Sequence, residues 1–389
     1  MLLIRVSSAP ACSMSRLSDM SLFASLYLWP SLQPSISQQS AVYGMGIDNE
    51  TLWNNLSSCP SIDEFRNQVY STVYSIITVF GLAGNGFALL VLLKTYQQSS
   101  EFHIYMLNLA VSDLLCVSTL PMRVLYYVNK GQWNLGDFLC RVSSYALYVN
   151  LYCSVFFMTA MSVTRFIAIV FPVHNLRMGS ERRARVVCFF IWVFICTVSS
   201  PFLMSGQHFD PDTNKTKCFE PPKKQGTAGG LKKLVMLNYF SLVVGFVLPF
   251  LVILICYVGI IRALMLRQNA AQRQKGIKSK AIRMIAIVML AFLLSFMPYH
   301  IQRSLHLSFL SQKATSCSEL IHMQKSVVVT LCLAAANSCF DPLLYFFSGE
   351  GFRRRLSTFR RQSVTGTRGN STHLTATPAI KEEAKRLQG

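Results

Sequence analysis

The chain has 389 residues, of which 52% are hydrophobic and only 14% are charged, and its mean hydropathy is +0.37. Soluble domains carry about a quarter charged residues, so this deficit indicates many segments in contact with lipid. A large soluble helical bundle would need polar faces at helical spacing, and Ile76–Leu93 and Phe240–Val258 have none. The composition therefore excludes a soluble fold and predicts an all-α membrane protein.

Seven stretches are long and apolar enough to cross a bilayer, which takes about 20 residues. In chain order they are Val69–Leu93, His103–Val128, Cys140–Val170, Arg185–Leu203, Leu237–Leu266, Ala281–Leu310 and Lys325–Phe347. They predict a seven-transmembrane helix bundle over residues 69–347, preceded by an extracellular N-terminus at residues 1–68. Because Met45 opens a short polar stretch, we expect translation to start there and residues 1–44 to lie upstream of the true start.

Two further regions are predicted after the seventh segment. Phe352, Leu356 and Phe359 fall at helical spacing among basic residues, which predicts a short amphipathic helix on the membrane surface over residues 348–362. Residues 363–389 are polar and rich in Ser and Thr, a composition that predicts a disordered cytoplasmic tail.

The loops give an orientation. Basic residues cluster in the links after the third and fifth segments and at the start of the tail, so these regions are predicted to be cytoplasmic. The N-terminus is then extracellular, as are the glycosylation triplets at Asn49, Asn55 and Asn214. Each basic run follows a segment directly, so the net charge of +20 indicates orientation and attraction to anionic membrane lipid rather than nucleic-acid binding.

Four of the twelve cysteines fall on the predicted extracellular side: Cys59, Cys140, Cys218 and Cys317. An even number in an oxidising compartment predicts two disulfides, with three pairings open.

Ionisable residues at bilayer depth are costly and indicate functional sites. Asp113 and Asp341 are predicted near mid-membrane. Polar residues at similar depth are Asn85, Asn108, Asn150, Ser154 and Asn337. Two carboxylates among oxygen ligands suit a hard monovalent cation or shared protons. The alternative is a hydrogen-bonded network that only holds the helices together.

A second group of ionisable residues is basic and lies toward the outer side. Its members are Arg123, His300, Arg303, His306 and Lys325. Arg123 lies about 15 Å along a helix from Asp113, so the two are not expected to pair. No acid occurs in the outer half of any predicted segment. The guanidiniums therefore predict a site for an extracellular anion among tyrosines, whereas the alternative is that they snorkel to the surface.

Prolines interrupt five segments, at Pro121, Pro201, Pro249, Pro298 and Pro342. Each removes a helix hydrogen bond and permits a kink, so we expect helices that shift against one another, as a switch requires.

Short motifs in all seven segments resemble those of rhodopsin-like (class A) G-protein-coupled receptors. They are Gly84-Asn85, Leu109-Ala-Val-Ser-Asp113, Thr164-Arg165-Phe166, Trp192, Pro249 with Tyr257, Ser295-Phe-Met-Pro298, and Asn337 followed by Asp341-Pro-Leu-Leu-Tyr345. Runs such as DEFRNQVYSTVYS and SFMPYHIQR further resemble the cysteinyl leukotriene receptors within that family, from about Cys59 to Arg361.

The resemblance implies a plasma-membrane receptor, not an enzyme, for cysteinyl leukotrienes, which are anionic fatty acids bearing a peptide. The implied ligand contacts are Arg123, Tyr148, Tyr152, Ser241, Tyr299, Arg303 and Lys325. The implied ligands of an allosteric sodium ion, the one cofactor expected, are Asp113, Asn150, Ser154, Asn337 and Asp341. The implied disulfides are Cys140–Cys218 and Cys59–Cys317.

For signalling, the resemblance implies that Arg165 meets a heterotrimeric G protein of the Gq type, with phosphoinositide and calcium signals, and that receptor kinases and arrestin act on the tail. The implied switch residues are Tyr257, Phe296, Pro298 and Tyr345.

Three positions depart from the family pattern. Thr164 replaces the usual acid, Lys278 stands where many relatives have Glu, and Phe296 replaces a tryptophan. The salt bridges that restrain Arg165 in relatives are therefore not expected here. The alternative function is a purinergic nucleotide receptor of the same fold, since His300-Ile-Gln-Arg303 would serve a phosphate as readily as a carboxylate.

Overall fold

The computed structural model describes residues 59–94, 100–172, 181–204, 206–220, 228–266, 282–283, 285–311 and 317–347, which lie within one compact unit. The side chains of residues 228–233, 311 and 344–347 are not among those described. The predicted amphipathic helix, the tail, Asn49, Asn55 and Lys278 lie outside these ranges.

Within the described ranges, seven helices are long and apolar enough to cross a membrane, and we call them spans 1 to 7. They are Asp63–Lys94, Glu101–Val128, Asp137–Val170, Glu181–Met204, Leu234–Leu266, Ile285–Leu310 and Cys317–Leu343. The predicted all-α, seven-helix architecture is confirmed. Span 1 begins at Asp63 and span 7 at Cys317, earlier than the apolar runs that predicted them, because polar helical turns continue each span beyond its hydrophobic part.

The spans are interrupted near their prolines. Span 2 consists of Glu101–Val117 and Leu120–Val128, and span 4 of Glu181–Ser199 and Pro201–Met204. The helix of span 5 runs Ala228–Leu242, a π-helical turn Val243–Val247 and Leu248–Leu266, and that of span 6 runs 285–291, a π-helical turn Phe292–Phe296 and Met297–Ser311. The helix of span 7 runs Cys317–Ala335 and then Asn337–Phe347, with Pro342 in the second piece.

The two π-helical turns have a common cause. A proline ring clashes with the carbonyl four residues earlier and offers it no N–H. For Pro249 and Pro298 these carbonyls belong to Gly245 and Leu294, which lie inside the π-helical turns. The wider turn accommodates the ring while the helix continues.

Strands β1 (His208–Asp210) and β2 (Lys215–Lys217) form an antiparallel hairpin between spans 4 and 5. We call the end of the bundle that carries this hairpin the outer end. Asn214 is exposed at the hairpin turn with φ of 51°.

Two disulfides fasten the outer end. Cys140–Cys218 joins the start of span 3 to the residue after β2, and Cys59–Cys317 joins the chain before span 1 to the start of span 7. These pairings are the two that the family resemblance implies.

Polar contacts link the spans inside the bundle. Trp192 in span 4 donates from its ring nitrogen to the Asn108 side chain in span 2, at 2.9 Å. Asn85 in span 1 donates to the backbone carbonyl of Ser338 in span 7, at 2.7 Å. Such bonds hold helices together where lipid supplies no hydrophobic driving force between them. Large apolar side chains such as Phe189 and Phe190 face outward, as a lipid-contacting surface requires.

Candidate functional site

Arg123 lies in the outer piece of span 2 and is only 4% exposed. One of its terminal nitrogens donates to the backbone carbonyl of Ser143 at 3.1 Å, and its guanidinium carbon is 4.0 Å from the ring centroid of Phe219. Its Nε has no acceptor, and no carboxylate approaches within 4.0 Å, among the described residues. A snorkelling side chain would place its head group in water, so this burial argues against that alternative.

Arg303 on span 6 is held by two tyrosines. Its Nη1 donates to the hydroxyl of Tyr299 at 2.9 Å and lies 3.4 Å from the hydroxyl of Tyr148 on span 3. The Tyr148 ring stacks on Phe202 of span 4, with centroids 3.6 Å apart. Both bonds involve the same nitrogen, Nη1, of a guanidinium that has five N–H donors in all. Arg303 is not part of any ion pair among the described residues. An anion can therefore be bound by the remaining donors.

The other predicted ligand contacts divide between two places. Tyr152, one turn beyond Tyr148, and Ser241 line a shallow cleft between spans 3, 4 and 5, together with Phe194 and Phe240. Lys325 lies apart from this cleft, with its Nζ 5.2 Å from the ring of Phe65 on span 1. The structure thus brings Arg303, Tyr148 and Tyr299 together, with Tyr152 and Ser241 close by, and places Lys325 nearer the outer mouth.

Sequence reasoning missed an ion pair at the outer end of the bundle, in the region around Arg66, Tyr126 and Glu220 that we call the outer mouth. Arg66 of span 1 lies 2.9 Å from a carboxylate oxygen of Glu220, and the Tyr126 hydroxyl donates to the same oxygen at 2.8 Å. Arg66 also pairs with Asp63 one turn earlier. Arg66 precedes the first predicted segment, and Glu220 is placed by the disulfide at Cys218, so no local pattern indicated either residue.

Deeper in the bundle, the predicted cation ligands form a hydrogen-bonded group. Asn150 donates to Asp113 at 2.8 Å, and Asn337 donates to Asp341 at 2.8 Å. Ser338, which sequence reasoning missed, donates to Asp113 at 3.0 Å and thereby joins span 7 to span 2. All five side chains are at most 5% exposed.

The group has unused oxygens. One oxygen each of Asp113, Ser154, Asn337 and Asp341 is buried without a hydrogen-bond partner among the described residues. Burying polar oxygens and carboxylates is costly unless they are paired or bind a cation. Four buried oxygens from three spans, two of them from carboxylates, are the donors that a hard cation prefers, so the chemistry of these residues fits a sodium ion.

The predicted switch residues lie toward the inner end. The Arg165 guanidinium is 4.5 Å from the ring centroid of Phe102 at the start of span 2. Thr164, in place of an acid, donates to the backbone carbonyl of Ala160 in its own helix, at 2.9 Å. The Tyr257 hydroxyl lies 2.9 Å from that of Ser162, joining spans 5 and 3.

Two further switch residues sit in the π-helical turn of span 6 and in span 7. Phe296, two residues before Pro298, is fully buried and packs on Phe292, with ring centroids 5.4 Å apart. The backbone of Tyr345 is helical, and its side chain lies outside the described part of the chain.

Comparisons with known proteins agree with this architecture. Residues 84–345 match the model of the 7 transmembrane receptor (rhodopsin family). Cysteinyl leukotriene receptor 1 of Homo sapiens is 58% identical over 305 residues, which cover 78% of this chain and 89% of that protein. Cysteinyl leukotriene receptor 2 of Sus scrofa is 43% identical over 334 residues, covering 85% of this chain and 92% of that protein.

A third relative is more distant. The uracil nucleotide/cysteinyl leukotriene receptor of Homo sapiens is 32% identical over 299 residues, covering 77% of this chain and 78% of that protein. Together with the seven spans and their buried polar groups, these matches show that the chain belongs to the rhodopsin family of seven-transmembrane, G-protein-coupled receptors and is a receptor rather than an enzyme.

Proposed function

We propose that this receptor lies in the plasma membrane, binds cysteinyl leukotrienes from the extracellular side and activates a heterotrimeric G protein of the Gq type, which gives phosphoinositide and calcium signals. The observation that carries the proposal is the pair of guanidiniums of buried Arg123 and half-buried Arg303, which have no carboxylate partner among the described residues.

The chemistry of the cavity supports an amphipathic anion. A buried guanidinium favours a ligand carboxylate, which it binds bidentately in a low-dielectric site. The tyrosines around Arg303 and the aromatic cleft beside Tyr152 supply apolar surface for a fatty-acid chain. The relatives named as cysteinyl leukotriene receptors 1 and 2 support the same ligand class.

Activation follows from differential binding. A ligand shifts the receptor toward the active state only by the extra affinity it has for that state. Arg303 lies on span 6 one turn beyond Pro298, so ligand contacts at Arg303 act on the outer part of an interrupted helix. We expect the inner part of span 6 to swing outward, which exposes Arg165 to the G protein, while Tyr257 and Tyr345 hold the opened helices.

A sodium ion at the predicted cation site would oppose activation. Asp113, Asn150, Ser154, Asn337 and Asp341 would hold a sodium ion in the resting state, because four of them have a buried oxygen without a hydrogen-bond partner among the described residues. The ion would supply positive charge to two buried carboxylates. Linkage then requires that sodium and agonist each weaken the binding of the other.

A second candidate function is a nucleotide receptor. The cationic Arg303 with its tyrosine hydroxyls would bind a phosphate as well as a carboxylate, and one relative is named as a uracil nucleotide/cysteinyl leukotriene receptor. The apolar surroundings of Arg303 favour the lipid, since a nucleotide offers little apolar surface to bury.

Binding of radiolabelled leukotriene to membranes from transfected cells, with unlabelled leukotriene and nucleotide as competitors, tests the proposal. We expect saturable binding that leukotriene displaces and nucleotide does not, and calcium responses to leukotriene in the same cells. A response to nucleotide alone would refute the ligand assignment.

A further inference from the structure

The ion pair at the outer mouth offers both signs of charge to a ligand. We propose that Arg66 and Glu220 form a subsite for the zwitterionic peptide head of the ligand, in which Glu220 accepts the peptide ammonium and Arg66 binds the peptide carboxylate. The inference rests on the proposed function and deepens it, because it assigns the peptide part of the ligand to a particular pair of residues.

The ligand class carries the matching charges. A fatty acid bearing a peptide has a carboxylate on its chain and a second carboxylate and an ammonium on its peptide. The inner guanidinium, Arg303, lies among aromatic rings and suits the part of the ligand that enters the apolar cavity. The head group that remains at the mouth is a zwitterion, and an acid beside a base is its electrostatic complement.

The position of Glu220 is built by several contacts. Cys218 is bonded to Cys140 on span 3, and Phe219 has a φ of 69°, which turns the chain sharply between the disulfide and the acid. The Phe219 ring packs edge-on against Tyr126, with centroids 5.3 Å apart, and covers the Arg123 guanidinium at 4.0 Å. The loop therefore presents Glu220 beside the cationic site rather than to bulk solvent.

The pair is open enough to exchange partners. The side chains of Arg66 and Glu220 are 17% and 22% exposed, whereas Arg123 is only 4% exposed as a residue. Because part of each side chain is accessible, a ligand that carries both charges can take the place of each partner in turn. Tyr126, 1% exposed, holds the carboxylate of Glu220 in place during that exchange.

An ion pair that only held the loop in place would not need this arrangement. Asp63 already pairs with Arg66 within the first turn of span 1, and the disulfide already fixes the loop to span 3. Arg66 therefore retains an acidic neighbour when a ligand ammonium occupies Glu220. The second acid adds negative charge next to a cationic pocket, which would repel a ligand that carried only anionic groups.

The test crosses a receptor variant with a ligand modification. The free cysteinyl leukotriene and its N-acetylated form, which lacks the ammonium, compete with labelled leukotriene at the wild type and at Glu220→Gln. Glutamine keeps an oxygen that can accept from Tyr126 but has no charge. Asp212→Asn is the matched control for losing one acid. Asp212 is exposed at the turn between β1 and β2, in the same link between spans 4 and 5 that carries Glu220.

At the wild type and at Asp212→Asn we expect N-acetylation to weaken binding about tenfold, the size of one charge-assisted hydrogen bond. At Glu220→Gln we expect the free ligand to bind about tenfold more weakly and acetylation to have no further effect. Equal weakening by acetylation at the wild type and at Glu220→Gln overturns the subsite.

A second cycle covers the case in which Glu220→Gln does not reach the surface. Arg66→Gln is crossed with a ligand whose peptide carboxylate is an amide, and we expect amidation to weaken binding to the wild type but not to this variant. Equal weakening at both overturns the subsite while leukotriene binding itself stands. Absence of any saturable leukotriene binding to the wild type would instead overturn the proposed function, and the subsite with it.

Discussion

Arg123 and Arg303 carry similar charge in different surroundings. Arg123 touches one backbone carbonyl and one aromatic face, whereas Arg303 touches two tyrosine hydroxyls. Neither contact cancels a positive charge, so both residues keep most of their capacity to bind an anion.

We expect Arg123→Ala to weaken agonist potency about 100-fold, because removing one partner of a buried charge pair costs about 2–5 kcal/mol. Surface expression should stay near the wild-type level, since the side chain makes one hydrogen bond to the protein among the described contacts. Dose–response curves and surface labelling measure the two quantities. Arg141→Ala, which removes a half-exposed arginine paired with Asp137, is the control; unchanged potency in Arg123→Ala would mean that Arg123 is only structural.

At the inner end, Phe102 gives Arg165 a partner of a different kind from the usual acid. A cation over an aromatic ring is stabilised by about 0.5–2 kcal/mol. If Arg165 leaves the ring to meet the G protein, Phe102→Leu should raise basal inositol phosphate production about two- to tenfold. Phe102→Tyr keeps the ring and should stay at the wild-type level. Equal basal signalling in all three receptors at matched expression would show that the ring does not restrain the resting state.

The sequence alone was sufficient to predict that Arg123 and Arg303 face no acid within the spans. It could not predict that Phe219 covers Arg123 or that Phe102 lies under Arg165, because both contacts join elements distant in the chain. Ser338 was missed for a related reason: a serine in an apolar helix is common, and only its position opposite Asp113 gives it a role.

The spans themselves are irregular where their prolines lie. In spans 5 and 6 a π-helical turn ends two residues before the proline. The two turns meet through Phe246 and Phe292, whose ring centroids are 6.3 Å apart. Wider turns that pack against each other provide a place where span 6 can bend relative to span 5.

We expect Pro298→Ala to lower the maximal agonist response by half or more while changing antagonist affinity little. Alanine restores an N–H that can bond the carbonyl four residues earlier, which favours a regular helix over the bent one. Maximal calcium response and labelled antagonist binding are measured together. Leu294→Ala, at a side chain that is 52% exposed toward lipid on the same helical turn, is the control. A full response in Pro298→Ala would exclude the bend as part of the switch.

A break or a π-helical turn lies beside Pro121, Pro201, Pro249 and Pro298, whereas Pro342 lies inside a continuous helical piece and the break in span 7 is at Ala336. The sequence did not predict π-helical turns, because the spacing of apolar residues in an all-apolar helix does not report how many residues each turn contains. The first turns of spans 1 and 7 were missed because their polar residues do not resemble a membrane segment.

For the whole molecule, the polar group around Asp113 couples three spans to one another. Its hydrogen bonds join span 2 to span 3 through Asn150 and to span 7 through Ser338. A cation bound there stabilises whichever arrangement of the spans brings its ligands together, so it acts on the receptor as a unit.

We expect raising sodium chloride to lower agonist affinity at the wild type by about fivefold or more, the lower limit of ordinary allosteric coupling. N-methylglucamine chloride at equal ionic strength should have no such effect, which separates binding of the ion from charge screening. Asp113→Asn should abolish the sodium dependence, because one carboxylate is lost from the site. A flat response to sodium at the wild type would support the network that only holds the helices together.

The central claim is that ligand carboxylates bind the guanidiniums of Arg123 and Arg303. The direct measurement is the affinity of free-acid leukotriene and of its fully esterified form at the wild type, at Arg123→Gln and at Arg303→Gln. We expect esterification to weaken binding to the wild type about 100-fold or more, and to weaken binding to each variant markedly less, since one charge pair is already lost there. Equal weakening by esterification at all three receptors would contradict the account.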